Sequence, residues 1–299
     1  MKQLIKNIVI FIPLALIFTV LMLWLLGGTG HLRNVTYRLG HDDHLHTKVL
    51  EAKEVHDVDI LFLGSSHSYR TFDPRIYAAR GVRTFNLGSS NQTPLQTEVL
   101  LRSLLETLAP RFVVFEVHPD VIANDGVEAA IYQLSNVPPA WSMIPMALHT
   151  RNMRVIATAA YALPHNLVSR EFSSFVEPQG NYVSCGYVEH DPAFYSPEDI
   201  PDTPIRPQKY QLKALGRCTR LLQQHGIPYL LLEVPDTKVM TEAYTNLPEF
   251  RREMSRYGDF CYVPLDTLDD SLHFYDREHL NQPGVELYNN YLCDSLFKF

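Results

Sequence analysis

Cysteine is scarce: Cys185, Cys218, Cys261 and Cys293 are the four thiols in 299 residues, and no two of them form a C-x-x-C pair. That excludes a zinc-ribbon or thioredoxin-like motif; spacing does not pair the cysteines into disulfides, and singly buried thiols are the plainer reading. Positive charge is short as well, with 26 Lys and Arg against 33 Asp and Glu and a formal net charge of -7. Nucleic-acid binding needs clustered cations to neutralise phosphates, so no nucleic-acid partner is expected. Acidic residues are absent from the first 27 positions, which hold Lys2 and Lys6; taking those two charges from -7 leaves -9 on the rest.

Charge of either sign is missing from Ile8 to Leu26, nineteen residues reading IVIFIPLALIFTVLMLWLL. As a helix rising about 1.5 Å per residue, this run nearly matches a hydrocarbon layer of roughly 30 Å. Lys2 and Lys6 precede it, so the positive-inside rule predicts a cytoplasmic N-terminus and a periplasmic or extracellular remainder. A cleaved signal peptide would have a shorter apolar stretch, about 7–15 residues, and a small-x-small cleavage site. Leu25-Leu26-Gly27-Gly28-Thr29-Gly30 offers a poor one, so residues 1–30 are expected to be a membrane anchor with the lipid bilayer as partner.

Residues 31–57 read as a polar juxtamembrane stalk ending in a short helix. His41, Asp42, Asp43, His44 and His46 invite a metal reading, but a functional metal needs ligands oriented by a folded scaffold. A solvated linker is expected there, and no metal. From Val58 onward apolar runs alternate with helical patterns. Asp59–Leu63, Arg83–Leu87, Phe112–Val117, Pro228–Val234 and Phe260–Pro264 are strand-like. Asp73-Pro74 and Thr93-Pro94 are helix starts, followed after Thr93 by an apolar face of Leu100, Leu101, Leu104, Leu105 and Leu108. Helices over about 208–225 and 248–257 continue the series. Strands separated by helices specify an α/β fold: a doubly wound, mostly parallel sheet flanked by helices. Residues 58–299 form one domain, interrupted at about 122–207 by an insertion expected to be helical over Trp141–Leu163, irregular over Glu177–Pro207, and to act as a lid.

Two short motifs carry chemistry. Leu63-Gly64-Ser65-Ser66-His67-Ser68 lies where the first strand meets a turn, at the strand edge where α/β sheets place ligands. Asp276-Arg277-Glu278-His279-Leu280-Asn281 lies near the end of the chain, ahead of a last helix running to about Leu296. A serine nucleophile needs an imidazole to take its proton and a carboxylate to hold the ring's tautomer, and Asp-x-x-His supplies both from one turn.

Gly-x-Ser after the first strand, Asn86-Leu87-Gly88 after the second and Asp276-x-x-His279-Leu-Asn before the last helix together resemble the SGNH/GDSL hydrolase superfamily over residues 58–297. The resemblance implies a three-layer α/β fold without cofactor or metal. It makes Ser66 the nucleophile, Asp276 and His279 its partners, and the N–H groups of Ser66 and Gly88 the oxyanion donors. Two positions depart from the pattern. Ser65 stands where the family usually has aspartate, and Glu116-Val117-His118-Pro119-Asp120 replaces the family's Gly-x-Asn-Asp block. The asparagine donor of that block is missing; Asn91 is a candidate substitute, and His118 reads as filler at the strand end. With the N-terminal anchor, these departures look more like cell-envelope branches, similar to proteins that D-alanylate teichoic acids or O-acetylate alginate. The expected activity is that of a membrane-anchored extracytoplasmic serine esterase or O-acyltransferase acting on acyl esters of a cell-surface glycan, with a membrane-bound O-acyltransferase as candidate partner. The alternatives are a non-catalytic envelope protein that binds glycan or docks on such an acyltransferase, and a phosphodiesterase or sulfatase-like hydrolase using the histidine-rich stalk.

Overall fold

The computed structural model describes residues 1–27, 32–40, 44–168 and 180–297. Helix α1 (Lys2–Leu26) has no buried residue and is long and apolar enough to cross a membrane. Of the stalk histidines, His31 and His41 lie outside the described residues, as do Asp42 and Asp43. The rest of the stalk differs from the expectation of a solvated linker. Helix α2 (Leu45–Ala52) is part of the core, because Leu45, Val49 and Ala52 recur at helical spacing and bury one face. The polar residues between them masked that stripe in the sequence.

The chain then alternates through β1 (Ile60–Leu63), α3 (Ser66–Tyr69), α4 (Pro74–Ala78), β2 (Thr84–Asn86), α5 (Pro94–Leu108) and β3 (Phe112–Glu116). The starts at Asp73 and Thr93 are physical caps: Asp73 accepts from the Arg75 amide, and Thr93 with Gln96 forms a capping box. Next come α6 (Pro119–Ala123), α7 (Val127–Asn136), α8 (Met143–His149), α9 (Met153–Val168), β4 (Asn181–Ser184) and β5 (Tyr187–Glu189). The alternation resumes with α10 (Lys209–Gln224), β6 (Tyr229–Glu233), α11 (Lys238–Ala243), α12 (Leu247–Met254) and β7 (Phe260–Tyr262), and closes with α13 (Asp270–His273) and α14 (Gln282–Tyr291), which runs on as a π-helical turn, Leu292–Leu296.

Five strands pair in the order β2-β1-β3-β6-β7, all parallel. Along β1 the side chains alternate: Leu61 and Leu63 enter the core shared with α2, α5 and α10, while Ile60 and Phe62 enter the core shared with α4 and α14. Both faces are therefore covered, which is why the strands read as continuous apolar runs. Each fully buried Leu or Phe here contributes on the order of 1.5–3 kcal/mol. After β1 the chain goes to one side to make β2 and to the other to make β3. That reversal opens a crevice at the carboxyl ends of β1 and β3, the place where doubly wound sheets bind ligands.

The insertion is more ordered than its composition predicted. The helix expected over Trp141–Leu163 is two helices, α8 and α9, broken where Arg151 takes a left-handed φ of 51°. Within the stretch read as irregular, β4 and β5 pair as an antiparallel hairpin. The hairpin is docked on the main sheet: the Asn86 amide donates to the Cys185 carbonyl at 2.8 Å, closing the free edge of β2. Gly186 (φ +82°) sits against that strand so closely that a Cβ would stand 1.9 Å from the Asn86 oxygen.

Candidate active site

The turn that presents Ser66 is built by Gly64, Ser65 and Glu116. Gly64 leaves β1 with φ +141°, and a Cβ there would lie 2.3 Å from Glu116 Oε2. Glu116, at the end of the adjacent β3, accepts from the Ser65 amide at 2.7 Å and from the Ser65 hydroxyl at 2.9 Å. Ser65 is in turn the N-cap of α3, its Oγ accepting from the His67 amide at 3.3 Å. The two departures from the family pattern thus explain each other. A serine at position 65 can donate to Glu116, whereas an aspartate would face a second carboxylate at the same spot. The turn leaves Ser66 half-exposed as the first residue of α3, its own amide without a hydrogen-bond partner among the described residues.

The second motif is held by a closed turn. Tyr275 N–H donates to the His279 carbonyl at 2.7 Å, Phe274 and Leu280 form a bridge, and Asn281 caps α14 while its Nδ2 donates to the Leu272 carbonyl at 3.0 Å. Within this turn Asp276 Oδ1 accepts from the amides of Glu278 and His279, both at 2.8 Å. The spacing of three residues lets the same carboxylate meet the ring: His279 Nδ1 lies 3.0 Å from Oδ1 and 2.9 Å from Oδ2. Across the crevice, His279 Nε2 lies 2.8 Å from Ser66 Oγ. Ser66, His279 and Asp276, 213 residues apart at their extremes, form one hydrogen-bonded line.

The electrostatics suit a general base. Burial pushes His279 below the ordinary imidazole range; Asp276 works against this, while His67 and Arg70 add to it. The ring is therefore neutral at neutral pH, with its proton on Nδ1 toward Asp276 and a lone pair on Nε2 toward Ser66. Burial also pushes Asp276 up, but the bond to His279, its charge and the two amides outweigh it and hold the carboxyl well below the usual range.

Of the three expected oxyanion contributors, Gly88 and Asn91 are engaged with other partners. The Gly88 amide is taken by Asn86 Oδ1 at 2.8 Å, a side chain whose Nδ2 is in turn fixed to the Ser68 carbonyl at 2.9 Å. An amide already bonded to a fixed acceptor has no proton left for an oxyanion. Asn91 is no substitute: it adopts a left-handed φ of 50° and turns its Nδ2 to Glu128 on α7 at 3.0 Å. The free amide of Ser66 is the donor that the local geometry leaves available.

Beneath the triad lies a second cluster that the sequence did not reveal. His118 is buried and bonds Asp236 through Nε2, at 3.1 and 3.0 Å to the two oxygens. His67 stacks between His118 (centroids 3.8 Å apart) and His279 (4.7 Å), making a column of three imidazoles. Its Nδ1 meets Ser65 Oγ at 3.2 Å, while Nε2 stands 3.5 Å from Asp236 Oδ1 without a hydrogen bond of normal length. Burial opposes charge on both members of the lower pair, yet mutual attraction and bonding prevail: His118 is raised to about 10 and Asp236 lowered to about 2. The Asp120 amide, which His118 Nδ1 accepts at 3.3 Å, is the contact a second ring proton would displace.

His67, His118 and Asp236 present donor atoms within 4.8 Å of one another and are of the type that holds a divalent cation. Their geometry does not suit one. A metal lies near the plane of each ligating imidazole, about 2.0–2.1 Å from its nitrogen. The two rings are nearly parallel, 15° between planes and 3.8 Å between centroids, so no point lies in both planes at that distance. Asp236 instead binds His118 by hydrogen bond and charge.

Two further side chains reach the triad. Arg70, four residues after Ser66, places Nη1 2.8 Å from His190 Nδ1. His190 follows β5, stacks on Tyr275 at 3.8 Å and meets His279 edge-on at 5.8 Å. A cleft of about 450 Å³ lined by Phe194, Tyr195, Glu198, Tyr275, Arg277 and Glu278 opens beside Asp276, so the insertion and the Asp276–His279 turn share its walls. A histidine or aspartate just beyond a strand end is too common a signal for sequence reading to have singled out His190 or Asp236.

No protein-family model matches the chain, and no curated protein matches it. Solved structures of similar fold include one described as an acylhydrolase from Bacteroides fragilis, 12% identical with a TM-score of 0.43 over 86% of this chain and 97% of that one. Another, described as a platelet activating factor from Streptococcus pneumonia, is 13% identical with a TM-score of 0.44 over 85% and 92%. A GDSL-like lipase from Bacteroides thetaiotaomicron is 12% identical with a TM-score of 0.40 over 86% and 98%. Likenesses this remote carry no assignment of activity.

Proposed function

We propose that this protein is a serine acyl-hydrolase or O-acyltransferase of the SGNH/GDSL type, with Ser66 as nucleophile, His279 as general base and acid, and Asp276 as the carboxylate that orients the base. The observation carrying the reading is the continuous line from Asp276 through His279 to Ser66 Oγ, with bonds of 2.9 and 2.8 Å. The neutral His279 takes the Ser66 proton at Nε2 as Oγ bonds to the ester carbonyl carbon. The negative charge forming on the carbonyl oxygen is met by the Ser66 amide. Collapse expels the alcohol, which takes the proton from Nε2 and leaves an acyl-serine. A water or a sugar hydroxyl then gives its proton to His279, attacks the acyl carbon and regenerates Ser66.

Removal of one oxyanion donor typically costs about 10²–10³ in rate. A site in which Asn86 holds the Gly88 amide is therefore slow toward water, and gains from an acceptor that brings its own hydrogen bonds. That favours transfer to, or removal from, a bound glycan over general esterase activity. The apolar α1 supports a membrane anchor with residues 31–299 outside the cytoplasm, where a membrane-bound O-acyltransferase would be a natural partner.

The test is labelling with a fluorophosphonate, which phosphonylates an activated serine. The full-length protein in detergent labels, and Ser66→Ala does not. An intact fold that fails to label points instead to a non-catalytic glycan-binding or docking protein.

A further inference from the structure

Arg70 lies in the crevice beside Ser66 and His279, and among the described residues no carboxylate meets its charge. Its amide donates to the Ser66 carbonyl at 3.0 Å, which fixes its place one turn beyond the nucleophile. Nε reaches the Tyr69 hydroxyl at 3.3 Å, Nη1 reaches His190 Nδ1 at 2.8 Å, and the guanidinium lies over the Tyr69 ring, 5.1 Å from its centroid. Among the described residues no carboxylate forms an ion pair with it. The acids nearby are committed elsewhere: Asp276 to His279, Glu278 to Arg277, and Asp73 and Glu189 to Arg75.

His190 completes the arrangement. Because its Nδ1 accepts from Arg70, its single proton sits on Nε2, and that buried N–H has no acceptor among the described residues. Burial, followed by the charge of Arg70, lowers this imidazole to about 3, so the ring stays neutral and keeps that tautomer. A half-buried, permanently charged guanidinium is costly without a partner. It also opposes protonation of His279, the state the reaction must pass through. The groups facing His279 are Ser66, Asp276, His67, His190 and Arg70, and Arg70 is the member with no counter-charge. An anion bound at Arg70 would satisfy the guanidinium and relieve His279 together.

Resting on the catalytic reading above, we propose that Arg70 and His190 form a subsite for an anionic oxygen group, a carboxylate or a phosphate, carried by the ester substrate beside the bond that breaks. The insertion then has a defined role: its hairpin delivers the residue that fixes the guanidinium.

The test uses three probes on the full-length protein in neutral detergent: 4-nitrophenyl acetate, with no anion; 4-nitrophenyl hemisuccinate, with a carboxylate on the acyl side; and 4-acetoxybenzoate, with one on the alcohol side. At least one anionic probe should exceed the neutral one in kcat/KM. That preference should fall tenfold or more in Arg70→Gln, recover partly in Arg70→Lys, and shrink as ionic strength rises. The probe that responds identifies the side bearing the anion. Binding of the same esters to Ser66→Ala, followed by ligand NMR, reads the subsite without turnover. A tenfold tighter binding of an anionic ester there, lost in Ser66→Ala/Arg70→Gln, upholds the subsite even if the wild type hydrolyses none of the probes, in which case the catalytic reading fails alone. Equal preference in wild type and both Arg70 variants, with no anion-dependent binding to Ser66→Ala, overturns it.

Discussion

Two imidazole–carboxylate pairs share one column of stacked rings, and they are built for different ends. His279 and Asp276 sit at the rim, where the free nitrogen of the ring faces a hydroxyl at 2.8 Å. His118, buried, and Asp236, nearly so, sit below it, and the carboxylate takes Nε2 of the ring while the Asp120 amide meets Nδ1. The chemistry of the parts is the same. What separates a base from a structural pair is whether one lone pair is left facing a proton that can move. In the upper pair burial dominates and the ring is held neutral; in the lower pair mutual attraction dominates and charge is favoured on both members.

Replacing the carboxylates one at a time tests that contrast. Asp276→Asn leaves the turn's shape but lets the ring adopt the wrong tautomer, and kcat should fall by about 10⁴ with little change in stability. Asp236→Asn should do the reverse: stability falls by about 3–5 kcal/mol in urea unfolding, because His118 is left buried without its counter-charge, while turnover at a temperature where the fold survives drops less than about tenfold. Equal losses of turnover in both variants would mean that the lower pair belongs to the chemistry as much as the upper one does.

The pairs should also part company in pH. For His118 the folded state holds the proton more tightly than the unfolded chain, so its stabilising contribution is full below about 6.5 and is lost as pH rises through about 10. Asp236 is shifted the other way, from 3.8 toward about 2, so its contribution is present above 3.8 and lost as pH falls through about 2. Unfolding free energy should therefore decline on both flanks of a plateau between those limits, and Asp236→Asn should remove the alkaline decline. Activity follows the upper pair instead. With His279 lowered, kcat/KM should rise with pH to a midpoint below the ordinary histidine range and be level above it, with Arg70→Gln moving the midpoint upward.

How much of this could be read in the chain depended on sequence distance. The sheet was legible because each strand is a continuous apolar run and the helix starts at Asp73 and Thr93 carry their own caps. The triad was legible because Asp276 and His279 share one turn and Ser66 follows a strand; only their meeting had to be inferred. The lower pair was not, since His118 and Asp236 are 118 residues apart and neither carries a local pattern. The hairpin of β4 and β5 was hidden for a similar reason: it owes its order to docking on Asn86 rather than to its own composition. The bond that occupies the Gly88 amide comes from one side chain, Asn86, whose rotamer no motif encodes.

The smallest expected effect concerns Asn91, where the motif and the geometry disagree. If the geometry is right, this side chain spends its hydrogen bond on Glu128 at the surface, and Asn91→Ala should change kcat/KM by less than about threefold and stability by less than about 0.5 kcal/mol. If the loop rearranges around a bound ester so that Nδ2 meets the oxyanion, the same substitution should cost about 10²–10³ in kcat with KM little changed, the mark of an interaction made only in the transition state. Glu128→Ala separates the cases further. It frees the Asn91 amide without touching the crevice, so a waiting donor would be released and turnover would rise, whereas a surface contact would leave turnover where it was. Kinetics of the two single variants and the double variant on one ester therefore decide whether Ser66 N–H meets the oxyanion alone.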